Sequence, residues 1–244
     1  MDLNGNTVLI TGGASGIGLA LAQRFLRAGS RVIVCGRRED KLEAARLAHP
    51  ELKTRVVDIT SESDRGALRD WATHEFPDLN VFVNNAGIQR YPKLGGTDWA
   101  DMREEIVTNF EAAVHLSSLF IPHLRHQPSA AIMNVTSGLG FAPMARAPIY
   151  CATKAALHSF TLSLRHQLAD TSIKVIEIIP PAVDTDLGGP GLHTFGVNVD
   201  EFADAIMPRI QRGEIEVAYG FAQQASRASR DELDAMSARL NQTA

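Results

Sequence analysis

The sequence predicts an α/β fold in which helices cover both faces of a doubly wound parallel sheet. Short apolar, β-branched runs alternate with longer helical segments, and the first run leads directly into a glycine-rich turn. The runs are Thr7–Thr11, Arg31–Cys35, Thr54–Val57, Val81–Val83, Ala130–Val135 and Lys174–Ile179, followed by Glu214–Ala218. Because several of them lack polar alternation, they are typical of strands that are buried on both faces of a parallel sheet.

Six helical segments are expected between and after these strands. They are Gly16–Ala28, Ser61–Phe76, Trp99–Arg125, Ile149–Ala169, Asp200–Arg212 and Ser229–Leu240. Gly29 directly follows the first segment and is typical of a helix end, because glycine adopts the left-handed conformation easily. Ser61, followed by Glu62 and Asp64, is typical of a helix start. The alternation of strands and helices implies right-handed crossovers.

The chain of 244 residues contains no evident linker, repeat or low-complexity tract. Residues 1–244 are therefore interpreted as a single domain. Asp186–Asn198 is rich in glycine and lacks periodicity, so we expect it to form a mobile substrate loop.

Composition excludes several classes of function. The net charge is −4 and no run of basic residues is present, so neither nucleic acid nor an anionic membrane is an expected partner. No apolar run reaches the roughly 18 residues of a membrane span, and Met1–Ile10 does not read as a signal peptide. Cys35 and Cys151 form neither a disulfide framework nor a metal-binding motif. These observations predict a reduced, cytoplasmic protein without a metal.

A turn that can bind phosphate lies between the first strand and the first helix. It reads Thr-Gly-Gly-Ala-Ser-Gly-Ile-Gly over residues 11–18, with GxxxGxG spacing in place of GxGxxG. Glycines let the backbone approach a pyrophosphate, and the helix N-terminus offers free N–H groups and a positive dipole. Gly12, Ser15, Gly16, Ile17 and Gly18 are therefore expected to bind a dinucleotide, as in a Rossmann-like fold, rather than to form an ordinary tight turn.

The residues after the second strand favour NADPH over NADH. No acidic residue stands at the strand end, where a fold that prefers NAD carries Asp or Glu. Arg37 and Arg38 can bind a 2′-phosphate through charge-assisted hydrogen bonds. The alternative is a solvent-exposed arginine pair that interacts with Glu39 and Asp40.

Tyr150 and Lys154 form a candidate acid/base pair near the start of a helical segment. Residues four apart share one helix face, so the phenol and the ammonium point the same way. A nearby ammonium stabilises phenolate, so Lys154 is expected to lower the pKa of Tyr150 and make it a competent acid/base near neutral pH. An ordinary surface pair is the alternative.

These motifs together resemble the short-chain dehydrogenase/reductase family, in its compact form. The motifs that occur in the family's order and spacing are the turn at residues 11–18, Asn84-Asn85-Ala86-Gly87, Asn109, Ser137 and Tyr150-Cys-Ala-Thr-Lys154. The resemblance extends from Leu3 to about Ala218.

This resemblance implies that Asn109, Ser137, Tyr150 and Lys154 are catalytic. Ser137 would polarise the substrate carbonyl oxygen through a hydrogen bond, and Tyr150 would give that oxygen its proton. Lys154 would bind the nicotinamide ribose and tune Tyr150. Asn109 would position a water in a proton relay, although an asparagine inside a helix is also typical of a satisfied polar residue between helices.

The resemblance also implies further contacts to NADPH or NADP⁺. The residues concerned are Asp58, Ile59, Asn85, Ala86, Gly87, Tyr150, Lys154, Pro180, Val183 and Thr185. Asp58 accepts from the adenine amine or caps its own loop. Thr185 matches a threonine that binds the carboxamide, whereas Pro181 replaces the usual glycine and removes an N–H donor. The stretch at 180–187 is similar to a bacterial branch often labelled as D-alanine-transfer operon oxidoreductases, a label that implies no substrate.

The expected reaction is the reversible reduction of a ketone or aldehyde, with hydride from the nicotinamide and the proton from Tyr150. The expected pocket loops are Ile88–Lys93, Gly138–Arg146 and Asp186–Asn198, and their mostly apolar residues favour a small hydrophobic carbonyl or alcohol substrate. Arg90 and Arg146 leave a carboxylated substrate open, although solvent exposure is the expectation for both.

Other functions remain open. One alternative is a non-catalytic NADP-binding redox sensor, another is a scaffold with a dead site, and a third is an epimerase or lyase that uses a transient hydride. The family resemblance implies a homodimer or homotetramer that pairs through Trp99–Arg125 and Ile149–Ala169. The histidines, for example His115, His158 and His166, are interpreted as packing or surface residues. The tail from Phe221 onwards has no assignment.

Overall fold

A seven-stranded parallel sheet forms the centre of the molecule, in the strand order β3-β2-β1-β4-β5-β6-β7. The computed structural model describes residues 1–242. The strands are β1 (Thr7–Thr11), β2 (Arg31–Gly36), β3 (Lys53–Val56), β4 (Val81–Asn84), β5 (Ala130–Val135), β6 (Ile173–Ile179) and β7 (Glu216–Ala218). The predicted fold class, a Rossmann-like doubly wound sheet, is confirmed.

Nine α-helices are found within residues 1–242. They are α1 (Gly16–Arg27), α2 (Glu39–Ala48), α3 (Glu62–Glu75), α4 (Trp99–Ile106), α5 (Ala112–Leu124), α6 (Pro148–Gln167), α7 (Val199–Gln211), α8 (Gly220–Ala225) and α9 (Arg230–Leu240). A π-helical segment, Val107–Glu111, joins α4 to α5, and a 3₁₀ turn, Gly138–Gly140, follows β5. As predicted, Gly29 follows α1 with a positive φ of 89°, and the Ser61 hydroxyl caps α3 by accepting from the Asp64 amide.

Two apolar layers cover the two faces of the sheet. Val8 and Ile10 of β1 pack in the layer that holds α1 and α7, whereas Leu9, between them, packs in the layer that holds α3, α5 and α6. Each fully buried side chain of this size contributes about 1.5–3 kcal/mol. These layers therefore stabilise the sheet and leave its carboxyl edge free to carry functional groups.

The order of the strands reverses beside β1, which lies between β2 and β4. The chain runs outward from β1 through β2 to β3, then returns to β4 and proceeds in the other direction. The two crossovers leave a crevice at the carboxyl ends of β1 and β4, which is where open α/β sheets bind ligands.

The edge strand β3 departs from its prediction. It begins one residue earlier and ends one residue earlier than the predicted Thr54–Val57, and most of its side chains are exposed. The expectation of burial on both faces is wrong for β3, because it pairs only with β2 and no described strand lies beyond it. The last strand begins at Glu216 rather than at the predicted Glu214.

The helices differ from the predictions in two ways. The predicted continuous helix Trp99–Arg125 is divided by the π-helical segment, an irregularity that hydrophobic periodicity does not reveal and that is frequent at functional sites. Two short helices, α2 and α8, were not predicted; α2 is largely polar and buries only Leu42 and Ala45.

The tail without a sequence-based assignment packs against the loop that precedes α6. The Ser237 hydroxyl and the Asn241 amide both donate to the Pro143 carbonyl oxygen, at 2.9 and 3.1 Å, and Asn241 Oδ1 accepts from the Ala145 amide at 2.6 Å. The tail therefore covers part of its own subunit. None of the helices within residues 1–242 is long and apolar enough to span a membrane.

Candidate active site

The turn between β1 and α1 exposes the N-terminus of α1. Ser15 adopts an extended conformation as the N-cap residue, and its side chain accepts no capping hydrogen bond from the helix. Gly12 has a φ of +63°, which favours glycine, and a Cβ there would lie 2.9 Å from the Ala86 Cα. A Cβ on Gly18 would lie 2.5 Å from the Gly12 carbonyl oxygen. The turn is therefore a cradle of backbone N–H groups in which side chains do not fit, as a diphosphate requires.

The Thr11 side chain joins this turn to the loop after β4. Its hydroxyl oxygen accepts from the amides of Asn85 and Ala86, at 3.0 and 3.1 Å. In return, the Asn85 amide group donates to the carbonyl oxygens of Thr11 and Gly12, at 2.9 and 3.1 Å. These bonds fix the predicted cofactor-binding residues at the ends of β1 and β4 relative to one another.

Both arginines after β2 lie beside the turn. Arg38 donates to the Ser15 hydroxyl at 2.9 Å, so its guanidinium is next to the N-terminus of α1. Arg37 donates to Glu104 of α4 at 2.6 Å. The alternative pairing with Glu39 and Asp40 is not observed, since α2 begins at Glu39.

The Asp58 side chain caps its own loop. Its Oδ1 atom accepts from the amide and the hydroxyl of Thr60, at 2.9 and 2.8 Å. Asp58 and Ile59 nevertheless line the cavity beside the turn. Of the two roles considered for Asp58, the structure shows the loop cap and leaves the adenine contact as a prediction.

A single cavity of about 1070 Å³ runs along the carboxyl edge of the sheet. Of the predicted catalytic and cofactor-binding residues, those that line it are Gly12, Ser15, Gly16, Ile17, Gly18, Arg37, Arg38, Asp58, Ile59, Asn85, Ala86, Gly87, Ser137, Tyr150, Lys154, Pro180, Val183 and Thr185. Asn109 is the exception. The volume of the cavity suits a dinucleotide together with a small substrate, since ordinary ligand sites occupy about 300–1,000 Å³.

The loop after β6 closes one side of the cavity. The Pro180 carbonyl oxygen accepts from the Gly138 amide at 3.0 Å, and Val183 forms an isolated bridge with Val197. A Cβ on Gly16 would lie 3.2 Å from Thr185 Cγ2, so Thr185 packs against the glycine turn. Pro181 also lines the cavity, and the chain accommodates it without a cis peptide bond within the described residues.

Three predicted catalytic side chains converge at the other end of the cavity. Tyr150 and Lys154 are buried on α6, and the Lys154 Nζ atom lies 5.6 Å from the centroid of the Tyr150 ring. Ser137 ends the segment after β5, and its hydroxyl accepts from the Leu139 amide at 3.1 Å. Lys154 Nζ donates to the Val135 carbonyl oxygen at 2.7 Å, which fixes the ammonium against β5.

Burial dominates the pKa values of this group. It raises the pKa of Tyr150 above its usual value, and the neighbouring Ser137 hydroxyl opposes this only in part. Burial also lowers the pKa of Lys154 to about 8. The expected lowering of the tyrosine pKa is therefore wrong for the chain on its own, because desolvation of the phenolate dominates.

Asn109 lies in the π-helical segment and connects three elements. Its Oδ1 atom accepts from the Ile88 amide at 2.8 Å, and its Nδ2 atom donates to the Ile88 carbonyl oxygen and to the Thr153 hydroxyl, at 2.8 and 3.2 Å. The side chain is satisfied by protein partners, and its place in a proton relay stays a prediction. Its contacts position the loop after β4 against α6.

Sequence reasoning missed several residues around the site. His158 was interpreted as a packing or surface residue, but its Nδ1 atom lies 2.9 Å from both carboxylate oxygens of the fully buried Glu177. Arg90 was expected to be solvent-exposed, yet it pairs with Asp101 and Glu104. No sequence signal reveals these pairs, because their members lie on different elements.

Phe221 and Leu240 of the tail, which had no assignment, also line the cavity. Gln89 and His193, which lie in the predicted pocket loops, are buried and line it as well. Glu105 of α4 is fully buried, and burial raises its pKa to about 7. Within residues 1–242, no cluster of three or more His, Cys, Asp or Glu side chains is arranged to bind a metal ion.

Known proteins with similar sequences and structures agree with this description. Residues 6–192 match the short chain dehydrogenase family. An uncharacterised oxidoreductase, DltE of Bacillus subtilis (strain 168), is 47% identical over 248 residues, which cover 99% of this chain and 98% of that protein. A short-chain dehydrogenase from Sphingobium yanoikuyae, solved in complex with NADPH, has a TM-score of 0.81 and 28% identity, with 96% of this chain and 94% of that chain covered.

A short chain dehydrogenase/reductase from Burkholderia phymatum, solved in complex with NAD, has a TM-score of 0.84 with 96% of each chain covered. At 21% identity this likeness shows the fold alone. The relatives therefore include structures with either nicotinamide cofactor.

The fold and the site together define a Rossmann-like oxidoreductase. The family match and the 47% identical relative identify its kind, and the chain belongs to the short-chain dehydrogenase/reductase family.

Proposed function

We propose that this protein uses NADPH to reduce a ketone or aldehyde to an alcohol and that it catalyses the reverse reaction with NADP⁺. The observation that carries the proposal is one cavity that joins the glycine turn, flanked by Arg37 and Arg38, to the Ser137–Tyr150–Lys154 group. A site that had lost catalysis would have no need to retain all three side chains at its far end.

The residues beside the turn favour the phosphorylated dinucleotide. Arg38 is next to the N-terminus of α1 and has no carboxylate partner among the described residues, so its charge is available to a 2′-phosphate. Arg37 already forms an ion pair with Glu104, which also pairs with Arg90. Arginine is suited to phosphate because its planar guanidinium offers several N–H donors. We therefore assign the larger share of 2′-phosphate binding to Arg38.

The catalytic group can protonate and polarise a carbonyl oxygen. Bound NADPH supplies the hydride, as its chemistry dictates. The raised pKa of Tyr150 keeps its hydroxyl protonated at neutral pH, so Tyr150 can donate that proton to the substrate oxygen. Ser137, whose hydroxyl hydrogen is free to rotate, donates a hydrogen bond to the same oxygen. The Lys154 ammonium lies beside the ring and stabilises the phenolate that forms.

Cofactor titration and turnover test the proposal together. The wild type, Arg38→Ala and the distant surface control Arg125→Ala are each titrated with NADPH and with NADH. Binding is followed by the fluorescence of the reduced nicotinamide. We expect NADPH to bind more tightly than NADH, and Arg38→Ala to weaken NADPH binding by about 10- to 100-fold, as loss of a charged hydrogen bond does. Equal affinities for the two cofactors would overturn the NADPH preference.

Oxidation of NADPH by a panel of ketones and aldehydes is then followed by absorbance. Turnover in the wild type that is lost in Tyr150→Phe supports the catalytic assignment. Tight NADPH binding with no turnover of any carbonyl compound would instead favour a redox sensor, and isomerisation without net oxidation would favour an epimerase.

A further inference from the structure

Arg146 is an arginine without a carboxylate partner at the catalytic end of the cavity. It lines the cavity, and no Asp or Glu among residues 1–242 lies within 4.0 Å of its guanidinium. Arg90, the other arginine of the pocket loops, differs because it forms ion pairs with Asp101 and Glu104. Of the two arginines, only Arg146 has a charge available to a ligand.

Arg146 is exposed at the rim of the cavity, and its guanidinium packs on one aromatic ring. It lies over the Tyr91 ring at 4.9 Å from the centroid. Stacking of this kind covers one face of the planar group and leaves the N–H donors at its edge free. A planar guanidinium with free edge donors is suited to bidentate binding of a carboxylate.

The segment that carries Arg146 is fixed at both sides. The tail residue Asn241 bonds to Pro143 and Ala145, and the Met144 amide donates to the Cys151 sulfur of α6 at 3.3 Å. Arg146 is four residues before Tyr150, so this segment leads directly into the catalytic helix. Such preorganisation reduces the conformational entropy that a charged ligand must otherwise offset.

The neighbouring wall of the cavity is polar and buried. Gln89 and His193 are 4% and 8% exposed, and both line the cavity. Within the part of the chain that the structure describes, Gln89 Nε2 and His193 Nδ1 have no hydrogen-bond partner. Burial lowers the pKa of His193, and the charge of Arg146 acts in the same direction while that of Asp184 opposes it. Buried polar groups without partners inside the protein are unfavourable unless a ligand or water satisfies them.

Two acidic residues of the loop after β6 also line the cavity. Asp184 and Asp186 are exposed, and neither lies within ion-pair distance of Arg146. They therefore form no ion pair with it. The remaining wall at this end is apolar and includes Leu139, Met144 and Leu187, which suits the carbon chain between the polar groups of a ligand.

We propose that Arg146 binds a carboxylate of the substrate, with His193 and Gln89 as further polar groups of the cavity wall, and that the substrate class is oxo acids and their hydroxy acids. This inference rests on the proposed function, because it places the carbonyl oxygen of the same molecule at Ser137 and Tyr150. The substrate is thereby bound at two points, its carboxylate and its reacting oxygen.

The test uses binding as well as turnover. The wild-type protein in saturating NADP⁺ is titrated calorimetrically with butanoate and with butanamide, which have the same shape but differ in charge. We expect butanoate to bind at least about tenfold more tightly, consistent with a charged hydrogen bond. Arg146→Met should abolish this preference, while the control Arg103→Met, on the outer surface of α4, should retain it. Similar binding of the two compounds, no binding of butanoate, or a preserved preference in Arg146→Met would each overturn the inference.

Turnover distinguishes this inference from the proposed function. Short 2-, 3- and 4-oxo acids are compared with their methyl esters, and we expect kcat/KM to favour one acid over its ester by about 10- to 100-fold in the wild type but not in Arg146→Met. Equal reduction of acid and ester, lost in Tyr150→Phe, would overturn the carboxylate site and leave the proposed reductase intact. Failure to bind NADPH in the cofactor titration would overturn the proposed reductase independently of the butanoate result.

Discussion

His158 of the catalytic helix α6 and Glu177 of β6 form an ion pair, with Nδ1 of the histidine 2.9 Å from each carboxylate oxygen. Glu177 lies in the middle of β6 and is fully buried, and the Thr136 hydroxyl donates to it at 2.7 Å. Thr136 precedes Ser137, and His158 is one helical turn beyond Lys154. The pair therefore connects β5, β6 and α6 where the three elements present the catalytic side chains.

Replacement of this histidine should destabilise the protein. In His158→Gln the buried Glu177 loses its cation, and loss of one member of a buried pair costs about 3 kcal/mol. Urea unfolding of His158→Gln measures this cost, and His166→Gln, on the exposed surface of the same helix, is the control. A change in stability as small as that of the control would show that Glu177 is satisfied without His158.

The pH dependence of the same pair has a defined sign. Glu177 raises the pKa of His158, so the stabilising charge is fully present below the unfolded-state pKa of about 6.5 and is lost as pH rises through the higher folded-state pKa. The difference in unfolding free energy between wild type and His158→Gln should therefore shrink as the pH is raised above about 6.5. A difference that grows with pH would contradict the assignment.

Glu105 should contribute a pH dependence of a different origin, because burial destabilises its ionised carboxylate. Its Oε1 atom accepts from the Arg90 amide at 3.1 Å, and its Oε2 atom has no partner among the described residues. Because burial raises its pKa from the model-compound value of 4.5 to about 7, the folded protein binds more protons than the unfolded chain in that window. Stability should therefore fall as pH rises from 4.5 to about 7.

Glu105→Gln keeps the acceptor and removes the charge. We expect it to lack this fall and to exceed the wild type in unfolding free energy above neutral pH, by about 1–3 kcal/mol. Denaturant unfolding across this pH range measures the difference between the two proteins. Parallel curves for the two proteins would show that Glu105 titrates normally.

The sequence was sufficient to predict the sheet and the glycine turn that forms the cradle at its edge. Buried parallel strands are recognisable as short apolar runs, and the glycine turn depends on local backbone conformation, so both follow from neighbouring residues. The interior strands β1 and β5 have the predicted bounds. The exposed edge strand β3 and the polar helix α2 were less recognisable, because neither buries a continuous apolar face.

Pairs that connect distant elements could not be predicted. Glu177 reads as one polar residue in the run Ile173–Ile179, and its partner His158 comes from a helix on another layer. Arg37 and Glu104 are 67 positions apart, and a charged residue has no local pattern that identifies its partner. The pKa of Tyr150 was misjudged for a related reason, since spacing along a helix reveals the neighbouring charge but not the degree of burial.

Gly18 offers a direct test of the cradle. A Cβ at this position would lie 2.5 Å from the Gly12 carbonyl oxygen and would also meet the Asn85 amide group. Gly18→Ala should therefore shift the turn away from the loop after β4 and weaken dinucleotide binding by more than about tenfold. Titration with NADPH measures the loss.

Gly66→Ala is the matched control, because Gly66 lies on α3 with nothing within 4 Å of an added Cβ. Alanine in this helix should stabilise the protein by about 0.5–1 kcal/mol and leave cofactor binding unchanged. Unchanged cofactor affinity in Gly18→Ala would show that the turn can relax and that close backbone packing is not required there.

The bonds from Asn241 predict a local role for the tail. Asn241→Ala removes the acceptor of the Ala145 amide and a donor to the Pro143 carbonyl oxygen. Because these bonds are exposed, their loss should change the global unfolding free energy by no more than about 1 kcal/mol, while it loosens the segment that carries Arg146.

Hydrogen exchange followed by mass spectrometry measures this loosening directly. Peptides that include residues 143–147 should exchange about tenfold faster in Asn241→Ala, and peptides from β1 and β5 should not change. Asp234→Asn, on the preceding helix α9 and paired only with Arg230 among the described residues, should behave as the wild type. If exchange at 143–147 is unaffected by Asn241→Ala, the segment is ordered by its contacts with α6, and the tail covers the cavity without positioning Arg146.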